Sequence, residues 1–116
     1  MADNDCIFCK IAKGEIPSTK VYEDEKVLAF EDLNPLAPVH VLIIPKEHYD
    51  NVGDNVPEDV LGYLLATVKK VAQIKGIEES GYRVTINTGA DGGQTVNHLH
   101  VHVNGGAKLY CGSLTI

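Results

Sequence analysis

A chain of 116 residues has room for one core of ordinary size and not for two, which rules out a multidomain bifunctional enzyme. Hydrophobic residues at 44% and charged residues at 22% place it with folded globular chains and away from disordered ones. Ten basic against sixteen acidic side chains leave a net charge of −6, so no overall positive field exists to hold a nucleic acid or an anionic membrane, although backbone N–H groups and imidazoles can still bind a small anion locally.

The chain starts Met-Ala-Asp-Asn-Asp, acidic where a secretory signal is basic, and its central apolar run, Val41 to Pro45, is far shorter than the roughly 20 residues that span a bilayer. A cytoplasmic protein of one domain, residues 1–116, without a membrane segment is expected. Asp5 can cap a short helix running to about Lys13, with Ile7, Phe8 and Ile11 on one side and Gly14 and Pro17 as stops. Cys6 and Cys9 fall on that helix at C-x-x-C spacing. With Cys111 the cysteine count is odd, which favours metal or redox chemistry over a disulfide framework. The spacing alone also fits two small apolar packing residues; a redox dithiol is disfavoured because the motif does not follow a strand in a βαβ unit.

Lys20 to Tyr22 and Lys26 to Phe30 flank an acidic turn and read as a hairpin, and Asn34 to Pro38, with two prolines, reads as a loop. Val39 to Ile44 is a β-branched run bounded by prolines, the pattern of a strand buried on both faces. Pro57 to Lys75 is the long helix, with an apolar stripe from Val60, Leu61, Leu64, Leu65, Val68, Val71 and Ala72. Arg83 to Asn87 and Leu99 to Val103 are alternating strands separated by a Gly-rich loop, Gly89 to Gln94. Three strands, a helix and two strands make an α+β fold with a five-stranded antiparallel sheet, one long helix and one short one. The edge strand 83–87 and one face of the long helix need cover, which a two-fold homodimer supplies.

His98-Leu99-His100-Val101-His102 alternates imidazole with aliphatic side chain. On a strand, period two places the three imidazoles on one face in a row about 13 Å long, with Leu99, Val101 and Val103 turned to the core. Gly92, Gly93, Thr95 and Asn97 precede them, where free N–H groups can meet phosphate oxygens. An exposed polar strand face, a three-histidine catalytic zinc site and nucleophilic catalysis by a neutral imidazole all fit this pattern. His40, on an otherwise aliphatic strand, reads alone as a core histidine, and Asp32 as a turn residue.

The segments Cys6-Ile-Phe-Cys-Lys-Ile, Leu28-Ala-Phe-Glu-Asp-Leu-Asn-Pro, His40-Val-Leu-Ile-Ile-Pro-Lys, Asn87-Thr-Gly and Gly92-Gly-Gln-Thr-Val-Asn-His-Leu-His-Val-His102 resemble the histidine triad (HIT) family, in particular its Hint-like branch, over nearly the whole chain. The resemblance implies a homodimer whose two sheets join, and a hydrolase that cleaves purine nucleoside phosphoramidates or adenylylated substrates through a nucleotidyl-histidine. It implies His100 as nucleophile, His102 on the leaving group, His98, Thr95 and Asn87 at the phosphate, and His40 behind the nucleophile in a hydrogen-bonded relay. It further implies Asp32 on the ribose hydroxyls and Ile7, Phe8, Ile11, Ile16, Phe30 and Leu33 around a purine base of an AMP- or GMP-type nucleotide, with no organic cofactor. Some bacterial-type Hint-like chains pair residues such as Cys6, Cys9 and His48 with the first triad histidine, which implies a structural zinc on Cys6, Cys9, His48 and His98. A non-catalytic nucleotide-sensing or zinc-binding module is the reading from another class, and a dinucleoside polyphosphate hydrolase the weaker enzyme alternative. Two departures from the family pattern stand out: the chain has no Trp and ends in an atypical tail, Ala107 to Ile116, and Thr95 stands where Ser is frequent.

Overall fold

The computed structural model describes residues 5–109, so Cys111 and most of the atypical tail lie outside the described residues. The elements in chain order are α1 (Ile7–Ala12), β1 (Lys20–Glu23), β2 (Val27–Glu31), β3 (Val39–Pro45), α2 (Glu58–Ile74), β4 (Tyr82–Thr85) and β5 (Val101–Gly105). They form one antiparallel sheet of order β1-β2-β3-β5-β4, the α+β architecture expected.

The sheet separates two apolar layers, and strand periodicity assigns residues to them. On β2 and β3, Val27, Ala29, Val41 and Ile43 face α2, where they pack with Leu64, Val68, Val71 and Ala72 and with Val101 and Val103 of β5. The intervening Leu28, Phe30, Leu42 and Ile44 face the opposite side and are covered by α1 through Phe8, Cys9 and Ile11. This double cover is why β3 reads as an unbroken apolar run, with Val41 to Pro45 all buried. It also places His40 and His102, which alternate with Val41 and Val103, on the α1 side.

Several boundaries differ from the sequence reading. The N-cap of α1 is Cys6, not Asp5: its Sγ accepts from the Cys9 N–H at 3.2 Å. Leu65, assigned to the buried stripe of α2, is half exposed, while Thr67 is buried and donates its hydroxyl back to the Tyr63 carbonyl. β4 ends at Thr85, so Ile86 and Asn87 leave the sheet.

The largest correction concerns the histidine segment. β5 begins at Val101, so His98, Leu99 and His100 precede the ladder and do not form a strand face with His102. Their backbone is held by other partners: Leu99 N–H donates to the Tyr49 carbonyl at 2.7 Å and His98 N–H to the Val96 carbonyl at 2.9 Å. No helix among the described residues is long and apolar enough to cross a membrane.

Candidate functional site

The three histidines of the segment diverge into two clusters. His98 is fully buried, and its Nδ1 lies 3.2 Å from Cys6 Sγ, 3.5 Å from Cys9 Sγ and 3.2 Å from His48 Nδ1, while Cys9 Sγ is also 3.2 Å from His48 Nδ1. The far nitrogens fix both tautomers. His98 Nε2–H donates to the Pro45 carbonyl at 2.9 Å and His48 Nε2–H to the Asp50 carboxylate at 2.7 Å. Both Nδ1 lone pairs therefore point at the two sulfurs and at each other; the weak thiol donors can meet the nitrogens one by one, and a cation among the four atoms would meet them all. A tetrahedral zinc with bonds of about 2.0–2.3 Å separates its ligand atoms by about 3.3–3.8 Å, close to these spacings. Cys6, Cys9, His48 and His98 thus have the donor types, count and orientation of a closed zinc site. Asp50, which orients His48, escaped the sequence reading; its position two residues after a candidate ligand was the available signal.

The second cluster lies on the α1 side of the sheet. Leu42 pairs with His102 and Asn104 with His40, so His40 and His102 are diagonal neighbours across β3 and β5. The Leu36 N–H donates to His40 Nδ1 at 3.0 Å, which leaves the His40 proton on Nε2, 2.9 Å from His102 Nδ1 and 3.4 Å from Asp32 Oδ2. That hydrogen bond in turn leaves the His102 proton on Nε2, which is buried with no hydrogen-bond partner. The relay from His40 therefore runs to His102; the expected position directly behind His100 is not what folds, because the register makes 102 the diagonal partner. His100 is oriented by a backbone group instead: its Nδ1–H donates to the His98 carbonyl at 2.7 Å, so its Nε2 carries the lone pair.

Burial sets the charge of these rings. It holds His40 and His100 below the ordinary imidazole range, against the pull of the Asp32 carboxylate, which favours their charged forms. Burial, with the neighbouring His100 and His40, pushes His102 down to about 4. All three are neutral at pH 7.

A cavity of about 280 Å³ opens over His100 and His102 and is lined by Ile7, Phe8, Ile11, Ile16, Phe30, Asp32, Leu33 and Thr95. Phe8 stands edge-on to His100 at 5.1 Å and to Phe30 at 5.5 Å, joining the apolar wall to the histidines. Leu33 is 91% exposed, a rim residue open to a ligand and to solvent alike. Asp32 is steadied by the Asn34 N–H at 2.8 Å. Ser18, Pro17, Asn34, Leu42 and Val96 also line the cavity and carried no sequence signal, since they come from four separate segments. His40, Asn87 and His98 do not line it: His40 reaches it through His102, His98 belongs to the sulfur cluster, and Asn87 is half-buried beyond the end of β4.

The glycine loop also differs from expectation. The Gly89 N–H donates to Gln94 Oε1, the Gly93 N–H to the Ala90 carbonyl and the Gln94 N–H to the Gly89 carbonyl, so these amides are committed inside the loop and do not wait for a phosphate. Gly92 is required by a close approach: a Cβ there would lie 2.4 Å from the Thr88 carbonyl oxygen.

The depressed imidazoles give stability a pH slope. An unfolded imidazole protonates near 6.5, whereas folded His102 stays neutral to about 4, so the unfolded chain binds more protons between these values and stability falls as pH falls through the window. Urea unfolding should give a stability that is level above pH 7 and declines below 6.5 by up to about 1.4 kcal/mol per pH unit for each such imidazole. His102→Asn should flatten this decline, and a wild-type slope in the variant would refute the assignment.

Comparison with known proteins agrees with this geometry. The family profile described as HIT domain matches residues 13–109. A 14 kDa zinc-binding protein of Zea mays is 54% identical over 111 residues, 92% of this chain and 86% of that protein. A HIT family hydrolase of Legionella pneumophila superposes with a TM-score of 0.88 at 47% identity, covering 92% of this chain and 97% of the other. A histidine triad nucleotide-binding protein of Candida albicans superposes with a TM-score of 0.80 at 43% identity, covering 84% and 72%. With sequence, fold and clustered histidines in agreement, the chain belongs to the HIT family.

Proposed function

We infer that this protein is a nucleotide-binding hydrolase that cleaves purine nucleoside phosphoramidates or adenylylated substrates through a nucleotidyl-histidine at His100. The observation that carries this reading is the pair of fixed tautomers: a neutral His100 with its lone pair on Nε2 beside a neutral His102 with its proton on Nε2, both lining one apolar cavity. The names of the Legionella and Candida relatives, a hydrolase and a nucleotide-binding protein, support the coarser part of this reading.

In the first step His100 Nε2 attacks the phosphorus and the bond to the leaving nitrogen breaks; His102 Nε2–H hydrogen-bonds to that nitrogen and orients it, and it departs as the amine with a proton from solvent. In the second, water attacks the nucleotidyl-histidine, releases a proton to solvent and frees the nucleoside monophosphate with His100 neutral again. His40 holds His102 in the required tautomer, Thr95 faces the phosphate end, and Asp32 takes the ribose hydroxyls. Asn87 and His98 act on the phosphate side only through the loop and the backbone. The apolar wall from α1, Ile16, Phe30 and Leu33 takes the base.

His100→Ala should abolish turnover of adenosine phosphoramidate and leave AMP affinity within roughly tenfold, because the variant loses the covalent route and keeps the pocket. Rapid quenching of the wild type should show the mass of one nucleotide on the peptide bearing His100. Label elsewhere, or near-normal turnover by the variant, refutes the nucleophile; binding without any turnover by the wild type favours a nucleotide-sensing module.

A structural zinc on Cys6, Cys9, His48 and His98 completes the reading, supported by the four convergent donors and the zinc-binding name of the maize relative. Held by these four residues, a zinc would supply folding energy rather than chemistry. Elemental analysis should find about one zinc per chain, and Cys6→Ser should lower both zinc content and melting temperature. A protein without metal and indifferent to chelation would reject the site.

A homodimer accounts for the apolar groups left outside: Leu65 and Ile74 on α2 are 51% and 55% exposed, and Tyr82 and Val84 on the edge strand β4 are 37% and 40% exposed. Light scattering at micromolar concentration should give a dimeric mass, and a monomer would contradict this assembly.

A further inference from the structure

Among the described residues, three side chains carry buried polar atoms without a hydrogen-bond partner: Ser18, His102 and Asn104. Ser18 and His102 line the same cavity, and Asn104 lines another. For His102 the orphaned atom is the hydrogen-bond donor to the leaving group in the proposed reaction. Ser18 has no such account. Its hydroxyl oxygen is buried and unpaired, in a lining that includes Ile16, Pro17 and Phe30; an unpaired buried O–H costs stability, and an alanine would pack without that cost.

The position of Ser18 indicates what can satisfy it. β1 and β2 pair with Lys20 opposite Phe30, and the Glu31 N–H donates to the Thr19 carbonyl at 2.9 Å just beyond the ladder. Continuing this antiparallel register by one residue sets Ser18 opposite Asp32. If Asp32 holds the ribose hydroxyls, Ser18 meets the nucleoside where base joins sugar. A purine presents there one ring nitrogen with a free lone pair, N3, and no hydrogen.

We propose that Ser18 is a specificity-determining residue whose hydroxyl donates to N3 of the bound purine. This rests on the nucleotide-binding reading above, to which it adds a polar contact on the base itself. The contact makes the cavity respond to a change at one ring atom, which an apolar wall alone cannot do, because stacking is nearly indifferent to that exchange.

Calorimetric titration of AMP and 3-deaza-AMP, in which a C–H replaces N3, separates the alternatives. Wild-type protein should bind AMP about five- to tenfold more tightly than the deaza analogue, the size of one hydrogen bond. Ser18→Ala should bring the two affinities within about twofold of each other, and Ser18→Thr, which keeps the hydroxyl, should retain a preference for AMP. The ligand-free Ser18→Ala protein should melt no lower than wild type, since it loses only an unpaired group. A preference that persists in Ser18→Ala, an equal loss of both ligands, or a lowered melting temperature would overturn the proposal and make Ser18 a packing residue. Failure of the wild type to bind AMP or GMP would instead remove the nucleotide-binding reading itself, and the role of Ser18 with it.

Discussion

His98 occupies two structures at once, and the geometry of both depends on it. Its ring is buried among Cys6, Cys9 and His48, while its carbonyl accepts the Nδ1–H of His100. A rotation of this one residue would carry the acceptor away from His100 and free that ring to adopt the other tautomer. The Pro45 carbonyl on Nε2 and the Leu99–Tyr49 backbone bond resist the rotation from two more directions. Phe8, edge-on to both His98 and His100, ties α1 to the same point. Preorganisation here comes from a sulfur cluster outside the cavity and requires no polar group inside it.

The relay on the other side works by exclusion. Because the Leu36 amide occupies His40 Nδ1, only one proton placement along His40 and His102 satisfies both hydrogen bonds, and it ends with a buried, unpaired donor on a ring that lines the cavity. Low polarity around the rings keeps them uncharged, so the order of protons along the chain persists at neutral pH. Asp32 contributes a nearby carboxylate to this cluster, yet burial outweighs its attraction for a proton on His40. The contact is therefore a polar one between a carboxylate and a neutral ring, and no ion pair forms.

The succession of elements and the doubly buried β3 were legible in sequence because apolar periodicity records which faces are covered. The histidine segment was not, because alternation in sequence is a statement about a strand and cannot reveal that the ladder starts only at Val101. Three more distant groups decide that: the cysteines, the Pro45 carbonyl and the Tyr49 carbonyl. Residues of the wall such as Phe8 and Ile11 look like plain core in sequence, and they are indeed core on one side and cavity on the other. Cys6 as helix cap escaped detection because Asp5 beside it is the stronger capping type by statistics, while the sulfur is fixed in place by its own cluster.

The contact between Cys6 and His98 joins positions 92 apart in the chain. A helix of six residues is not stable alone, so α1, which precedes the other described elements in the chain, waits for nearly all of them before it has a surface to rest on. At about 5–20 residues per second the wait on the ribosome is on the order of 5–20 s, during which both thiols are accessible to metals and oxidants. The cavity, walled on one side by the earliest of the described elements, is thus completed only after β5 has emerged.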